Sequence, residues 1–184
     1  MTGVQTCALP ILCIAVGFVD MNRLRLARYQ EALRKGYRLP GYVHSSVIRH
    51  DDVEIGDNCI ILDHVSIHPG CRIGHSTFIS SNVNIGHDCV LAPGNWINSG
   101  VALAGNCHVG EGGVFGVNAS ATQGVAIGRL NFIAANTLVN RDTLDEQVLL
   151  SGAGQVFRLS STKFLQFSRM LERDRKSTRL NSSH

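Results

Sequence analysis

The sequence is poor in aromatic residues and has little net charge. Aromatic side chains make up 6% of the 184 residues, whereas 19 residues are glycine. This combination argues against a helical bundle and favours a fold with many turns. The apolar residues amount to 44% of the chain. They are too interrupted for a membrane protein and too numerous for a disordered one.

The two ends of the chain look like translated DNA adapters. One short DNA sequence encodes residues 174–184, and its complementary strand, read in frame from a GTG start codon, encodes residues 1–11 without a mismatch. That DNA also resembles a common sequencing-library adapter. We therefore expect both ends to be foreign to the protein, and residues 12–173 to be a fragment whose native start is missing.

Without these two ends, the net charge of the chain is lower. Three basic residues and one acidic residue lie in the C-terminal end, so 14 basic and 13 acidic residues remain and the net charge falls from +3 to +1. This balance gives no reason to expect a nucleic-acid partner. The apolar run Ala8–Val19 resembles a signal-peptide core, but no charged residue precedes it and it crosses the junction. We therefore expect a cytoplasmic protein with no membrane partner.

Fifteen apolar residues recur at a spacing of six along the middle of the chain. An α-helix has about 3.6 residues per turn and would spread them around its surface. Short strands arranged as a three-sided prism place them all inside, with three six-residue rungs forming a coil of eighteen. The spacing therefore predicts an all-β solenoid of about five coils. The fifteen anchors, nine of them isoleucine, are Ile55, Ile61, Ile67, Ile73, Ile79, Ile85, Leu91, Ile97, Leu103, Val109, Phe115, Ala121, Ile127, Ile133 and Val139.

Small residues occupy fixed positions around these anchors. Cys59, Cys71, Cys89 and Cys107 stand two residues before an anchor, where a thiol packs as a compact hydrophobic group. We expect neither a disulfide nor a metal role for them, and nothing calls for an oxidising compartment. In six rungs a glycine follows the anchor directly, and we expect it to turn the corner of the prism. These glycines are Gly56, Gly74, Gly86, Gly110, Gly116 and Gly128.

The segment before the repeat has a different pattern. Leu12–Val19 and Tyr37–Val43 are typical of strands, and Met21–Lys35 is typical of an amphipathic helix. This order matches the later part of a β-α-β unit, so residues 12–45 are predicted to be a truncated α/β unit of Rossmann type. The side of the helix predicted to be buried carries Leu24, Leu26, Tyr29 and Leu33.

The solenoid is predicted to span residues 46–144. The period fails after Asp145. Residues 145–173 are therefore predicted to form a C-terminal loop and a short helix over Phe164–Arg173.

Eight histidines raise the question of a metal site. Prisms of the γ-carbonic anhydrase kind hold zinc with two histidines five residues apart and a third about two coils away. Here His64 and His68 are four apart, and no histidine lies two coils from another. We therefore expect no metal, although a γ-carbonic anhydrase-like metalloenzyme and a non-catalytic scaffold remain as alternative functions.

One stretch of the repeat carries a recognisable pattern. His87, Asp88 and Cys89 are followed one coil later by Gly105 and then by the rung Phe115-Gly116-Val117-Asn118. This pattern resembles the sialic-acid O-acetyltransferase and bacillosamine-type N-acetyltransferase group of hexapeptide-repeat sugar acyltransferases. The resemblance covers most of residues 12–173, and it implies a left-handed parallel β-helix.

The resemblance also implies an activity and roles for site residues. The enzyme would use acetyl-coenzyme A to acylate an amine or hydroxyl of a sugar or nucleotide-linked sugar, and would form a homotrimer with its groove between subunits. His87 would be the general base, because imidazole titrates near neutral pH, and Asp88 would orient it. The backbone N–H of Gly105 would face the thioester oxygen. Asn118 and Gln123 would line the coenzyme A groove.

Three further residues are candidates for the acceptor site. Asn22 and Arg23 follow the first predicted strand of the truncated nucleotide-sugar unit, and we expect them to contact the sugar nucleotide. Trp96 stands nine residues after His87, where some relatives carry a second histidine. We expect its ring to face outward, either in the acceptor cleft or in a subunit contact.

Overall fold

Short parallel strands wind around three sheets in the computed structural model, which describes residues 10–156 and 158–166. Each strand has two residues, and up to β14 each strand pairs with the strand three places later. Through most of the ladder the register offset is eighteen residues, so that Ile61 pairs with Ile79 and Ile79 with Ile97. The result is an all-β parallel solenoid of about six turns, with three faces and three corners.

Successive strands pass from the first sheet to the second and then to the third. The first sheet contains β1 (Tyr42–Val43), β4 (Ile60–Ile61), β7 (Phe78–Ile79), β10 (Trp96–Ile97), β13 (Val114–Phe115), β16 (Phe132–Ile133) and β18 (Val148–Leu149). The second contains β2 (Ile48–Arg49), β5 (Ser66–Ile67), β8 (Asn84–Ile85), β11 (Ala102–Leu103), β14 (Ser120–Ala121) and β17 (Leu138–Val139). The third contains β3 (Glu54–Ile55), β6 (Arg72–Ile73), β9 (Val90–Leu91), β12 (His108–Val109) and β15 (Ala126–Ile127).

The predicted anchors form the core of the solenoid. All are buried except Ile55, which is partly buried and packs against the same cluster. The solenoid is longer than the predicted five coils because β1, β2 and β18 add rungs at its ends. The period misses these rungs for two reasons. Arg49 interrupts the apolar row before Ile55, and β18 pairs with β16 at an offset of sixteen residues.

The prediction that the glycine after each anchor turns the corner was wrong. The left-handed turn residue lies three places after the anchor, as at Asp88 and Asn106, and Asp and Asn tolerate this conformation better than most residues. The glycine after the anchor instead lets neighbouring coils approach closely. A Cβ on Gly86, for example, would lie 2.6 Å from the carbonyl carbon of Ala104.

The four cysteines of the repeat are buried, as predicted. Each thiol contacts a carbonyl oxygen fifteen residues further along the chain, at distances from 3.0 Å for Cys71 to 3.3 Å for Cys107. Burial raises the pKa of the Cys59 thiol to about 11. A hydrogen bond with the Cys89 thiol instead lowers the pKa of Cys71 to about 7. All four thiols pack as small hydrophobic groups.

The N-terminal segment contains one helix, α1 (Arg23–Arg34). The flanking strands that the sequence predicts do not form as such. Leu12–Val19 contains no strand, and the residue before it, Ile11, makes an isolated parallel bridge with Arg38. Tyr42–Val43 belongs to the solenoid as β1. Two strands without further neighbours are marginally stable, and here the segment packs on the solenoid instead.

Helix α1 buries only part of the predicted side: Tyr29 is buried and Leu26 is partly buried. Its buried residues are Arg25, Tyr29 and Ala32, whereas Leu24 and Leu33 are exposed. Arg25 tolerates burial because its guanidinium donates to three backbone carbonyls, those of Ser76 at 2.9 Å, Val16 at 3.1 Å and Asn58 at 3.3 Å. Burial also lowers the pKa of Arg25. The Tyr29 ring stacks on His75 with centroids 4.3 Å apart.

Residues from 152 onward form a second compact unit. Within it, residues 161–166 are helical, and this overlaps the start of the predicted helix Phe164–Arg173. Residues 167–173 of that helix lie outside the described residues, as do residues 1–9 and 174–184 of the ends predicted to be foreign. No helix in the described part of the chain is long and apolar enough to cross a membrane.

The buried thiols lead to a first prediction. In the native protein at pH 8, N-ethylmaleimide should modify the exposed Cys13 and leave Cys59, Cys71, Cys89 and Cys107 unmodified, because these four thiols have no exposed surface. All four should react after denaturation. Peptide mapping by mass spectrometry distinguishes the sites, and rapid labelling of Cys89 in the folded protein would contradict the packed core.

Candidate active site

His87 lies at the corner where the chain passes from β8 in the second sheet to β9 in the third. We call this the second corner; the first joins the first and second sheets, and the third joins the third and first sheets. The turn His87-Asp88 stacks between equivalent turns of the neighbouring coils. The Asp88 N–H donates to the Pro69 carbonyl at 2.9 Å, and the Asn106 N–H donates to the His87 carbonyl at 2.7 Å. Backbone hydrogen bonds therefore fix the position of the turn on both sides.

The side chains of His87 and Asp88 form a hydrogen-bonded pair. The distance from His87 Nδ1 to Asp88 Oδ2 is 2.9 Å, and the two side chains are 52% and 61% exposed. Neighbouring side chains on a strand point to opposite faces, but Asp88 has a φ of 57°, and the turn presents both side chains outward. An ionised carboxylate only accepts hydrogen bonds, so Nδ1 carries the proton and Nε2 presents a lone pair.

Gly105 lies directly beyond His87 on the next coil. The imidazole covers it so closely that a Cβ on Gly105 would lie 2.6 Å from His87 Cε1 and 2.7 Å from Cδ2. Gly105 is buried as a result. Its N–H donates to no group among the described residues, while its carbonyl accepts from the N–H of Gly124 at 2.9 Å. The absence of a side chain at Gly105 therefore makes the room in which the imidazole sits.

The second corner brings together four of the predicted site residues, Asp88 among them. His87, Gly105 and Gln123 follow one another at the eighteen-residue offset, and Gln123 is exposed. A shallow cavity of about 320 Å³ lies on the adjoining third sheet, lined among others by Val90, His108 and Ala126. A larger cavity of about 680 Å³ lies at the end of the solenoid near Arg141, three coils or roughly 14 Å from His87. We assign no chemistry to it, because it is remote from the His87 pair.

Two other predicted residues lie elsewhere on the same chain. Asn118 is exposed at the first corner, where its side chain covers Gly100. Trp96 is on the outer side of the first sheet, the face opposite the second corner. Its ring stacks on Phe78 with centroids 4.0 Å apart and contacts Phe18 at 5.5 Å. A single chain therefore does not bring Asn118 or Trp96 to His87.

The two candidates at the start of helix α1 have contrasting surroundings at the third corner. Asn22 has no exposed surface, and its Nδ2 faces the carbonyls of Gly112 and Gly113 at 3.5 Å. Its Oδ1 has no hydrogen-bond partner among residues 10–156 and 158–166. Arg23 is exposed and lies 3.6 Å from Asp20 and 3.7 Å from Glu146. Of the two, only Arg23 presents its side chain at the surface.

A second histidine–carboxylate pair occurs at the first corner. His64 Nδ1 lies 3.0 Å from Asp63 Oδ2, and Ser81 donates to Asp63 Oδ1. The hydrogen bond from Ser81, followed by that from His64, lowers the pKa of Asp63 to about 2. The residue one coil after His64 is Asn82, so this imidazole has no glycine beneath it. In the described part of the chain, no three His, Cys, Asp or Glu side chains form a group that would hold a metal ion.

The comparisons with known proteins agree with this architecture. The profile of the bacterial transferase hexapeptide (six repeats) family matches residues 52–87. The perosamine N-acetyltransferase of Caulobacter crescentus, solved with CoA and GDP-perosamine, is 30% identical with a TM-score of 0.73. The match covers 77% of this chain and 67% of that enzyme. Variants of that enzyme with one histidine replaced by asparagine or alanine were also solved with both ligands.

Two more distant structures show the fold alone. The acetyltransferase domain of PglB from Neisseria gonorrhoeae is 23% identical with a TM-score of 0.68, and the match covers 69% of this chain and 62% of that domain. WeeI from Acinetobacter baumannii is 14% identical with a TM-score of 0.52, covering 84% and 74% of the two chains. No curated protein sequence matches the chain. The chain spans about two thirds of the length of the Caulobacter enzyme, and by its identity to that enzyme it belongs to the hexapeptide-repeat sugar acyltransferases.

Proposed function

We propose that this protein transfers an acetyl group from acetyl-coenzyme A to an amine or hydroxyl of a sugar or nucleotide-linked sugar, with His87 as general base. The observation that carries the proposal is the His87–Asp88 pair. It presents a half-exposed imidazole with an unengaged Nε2 at a corner of the solenoid. The 30% identity to an enzyme solved with CoA and GDP-perosamine supports the substrate classes.

In the proposed reaction, Nε2 of His87 accepts the proton of the acceptor N–H or O–H as the acceptor attacks the thioester carbonyl carbon. The C–S bond then breaks, and the coenzyme A thiolate leaves. The imidazolium returns its proton to that thiolate, so the products are an acetylated sugar and free coenzyme A. Asp88 holds Nδ1–H throughout and stabilises the positive charge that the ring carries between the two proton transfers.

Gly105 is proposed to stabilise the oxyanion. Its N–H has no acceptor among the described residues, and hydrogen-bond donors at the developing oxyanion are a major source of rate enhancement. In the present structure the imidazole covers Gly105. Donation to the thioester oxygen therefore requires the ring to shift towards the acceptor when acetyl-coenzyme A binds. Gln123, exposed in the same column, would contact the pantetheine arm.

A homotrimer would complete this site. Asn118 and Trp96 do not approach His87 within one chain, so a contribution from either residue requires a neighbouring subunit. An apolar row runs along the outer side of the first sheet. Its ends, Tyr42 and Val148, are exposed and support association of copies, whereas Val114 near its middle is buried within the chain. The row consists of Tyr42, Ile60, Phe78, Trp96, Val114, Phe132 and Val148.

The N-terminal segment is proposed to serve the acceptor. Residues 12–45 would be the end of a nucleotide-sugar-binding unit, with Arg23 exposed towards a phosphate or sugar. Asn22 is enclosed against Gly112 and Gly113, so we assign it the role of holding the loop that presents Arg23. The proposal also includes a left-handed winding of the solenoid and a cytoplasmic location of the protein.

Replacement of His87 tests the general base. His87→Ala should lower kcat/KM by about 10²-fold or more, because the acceptor loses its proton acceptor. The assay measures coenzyme A release with acetyl-coenzyme A and a panel of nucleotide-linked amino sugars that includes GDP-perosamine. His64→Ala is the matched control, since it removes an imidazole with the same carboxylate pairing, and it should retain full activity. Equal activity of both variants and the parent would refute the proposal.

Replacement of Gly105 tests the space beneath the imidazole. Gly105→Ala should lower kcat by about tenfold or more, because a displaced catalytic group loses much of its effect. The melting temperature should change little, since the new methyl group meets only a half-exposed side chain. Gly17→Ala, where an added Cβ meets nothing within 4 Å, is the control. An unchanged kcat in Gly105→Ala contradicts the assignment.

Metal removal separates the proposed enzyme from a γ-carbonic anhydrase-like one. His64 and His68 do not belong to a metal-binding group in the described part of the chain. Dialysis against EDTA should therefore leave acetyl transfer unchanged, and elemental analysis should find well under one zinc per chain. Loss of activity on dialysis and its return on addition of zinc would favour the metalloenzyme.

A further inference from the structure

We propose that Gly70 is a positioning residue for the His87–Asp88 pair, an inference that rests on the proposed function of His87. Gly70 lies at the second corner one coil before Asp88, at the eighteen-residue offset. The backbones are held together there by the Asp88 N–H, which donates to the Pro69 carbonyl at 2.9 Å. The Asp88 carboxylate rests on the Cα of Gly70.

The position has no room for a side chain. A Cβ on Gly70 would overlap Asp88 Oδ1 and would lie 3.2 Å from its Cγ and 3.5 Å from its Cα. The other carboxylate oxygen, Oδ2, is the atom that holds His87 Nδ1 at 2.9 Å. Because both oxygens belong to one planar group, displacing Oδ1 also moves Oδ2 and weakens its hydrogen bond to the imidazole.

The turn that contains Gly70 is itself held in place. The Gly70 N–H donates to Asp52 Oδ2, one coil earlier, at 2.8 Å. The pair is therefore bracketed by two glycines, one on the coil before it and one on the coil after it. Gly70 underlies the carboxylate of Asp88, and Gly105 underlies the ring of His87. Because neither glycine has a side chain, the two corners leave the space that the imidazole and the carboxylate occupy.

The chain offers a matched control at the same corner. Gly124 occupies the equivalent turn position three coils after Gly70, and its φ of +76° is close to the +74° of Gly70. An added Cβ on Gly124 meets nothing within 4 Å. Alanine should therefore cause similar backbone strain at both positions, but only Gly70→Ala should disturb Asp88.

The test is a double-mutant cycle on the full chain. Gly70→Ala should lower kcat/KM by about tenfold, since a small misplacement of a catalytic group is costly. Asp88→Ala should lower it by at least as much, and Gly70→Ala added to Asp88→Ala should cause no further loss. A purely structural effect of Gly70 predicts the same loss in both backgrounds, and that result would overturn the proposal.

A spectroscopic measurement keeps the proposal testable if activity is absent or low. The imidazole nitrogen chemical shifts of His87 report which nitrogen carries the proton. We expect the Nδ1–H tautomer in the parent and in Gly124→Ala, and a mixture of tautomers in Gly70→Ala. The same tautomer in all three proteins would refute the positioning role. Equal activity of the parent and His87→Ala would instead refute the proposed function, so the two failures are distinguishable.

Discussion

The eighteen-residue offset of the parallel ladder is the constraint on which the rest of the structure depends. It follows from the backbone hydrogen bonds of three sheets, which place each residue of most coils on the residue one coil earlier. Inside, this stacking gives continuous rows of Ile, Leu and Val. At each corner it stacks equivalent residues of successive coils into a column, so that the side chain on one coil limits the space for the side chain on the next coil. A functional side chain in this fold is therefore positioned chiefly from above and below.

The two histidine–carboxylate pairs show what this vertical arrangement adds. His64 and His87 both bond through Nδ1 to an adjacent carboxylate, at 3.0 Å and 2.9 Å. Their columns differ. Ser46 lies one coil before His64 and accepts from its backbone N–H, and Asn82 follows one coil after it. In the other pair, Gly105 lies one coil after His87, and Gly70 lies one coil before Asp88. The hydrogen bond between histidine and carboxylate thus depends on the turn alone. The space available to the two side chains depends on the residues stacked one coil before and one coil after them.

Long-range polar contacts decide how the N-terminal segment packs. The burial of Arg25 looks unfavourable from the sequence, because an arginine is rarely buried without a carboxylate partner. Three backbone carbonyls from separate segments satisfy it instead. Since Tyr29 and Ala32 lie on the same side of helix α1 as Arg25, their burial follows, and Leu24 and Leu33 remain exposed. Apolar patterning misassigns part of this face because it does not count acceptors supplied by another part of the chain.

The sequence by itself determined the solenoid, its core and the stacking order of its corners, because a period of six fits only a repeated three-sided coil. Ile85, Phe115 and the buried cysteines could be placed inside, and His87 could be placed one coil before Gly105. Only the tertiary structure decided that the left-handed residue lies three places after the anchor, and this turn brings Asp88 beside His87. The fit of Asp88 against Gly70 and the enclosure of Asn22 were likewise beyond the sequence. Both depend on how closely backbone segments that are far apart in the chain approach each other, and no periodic pattern encodes such distances.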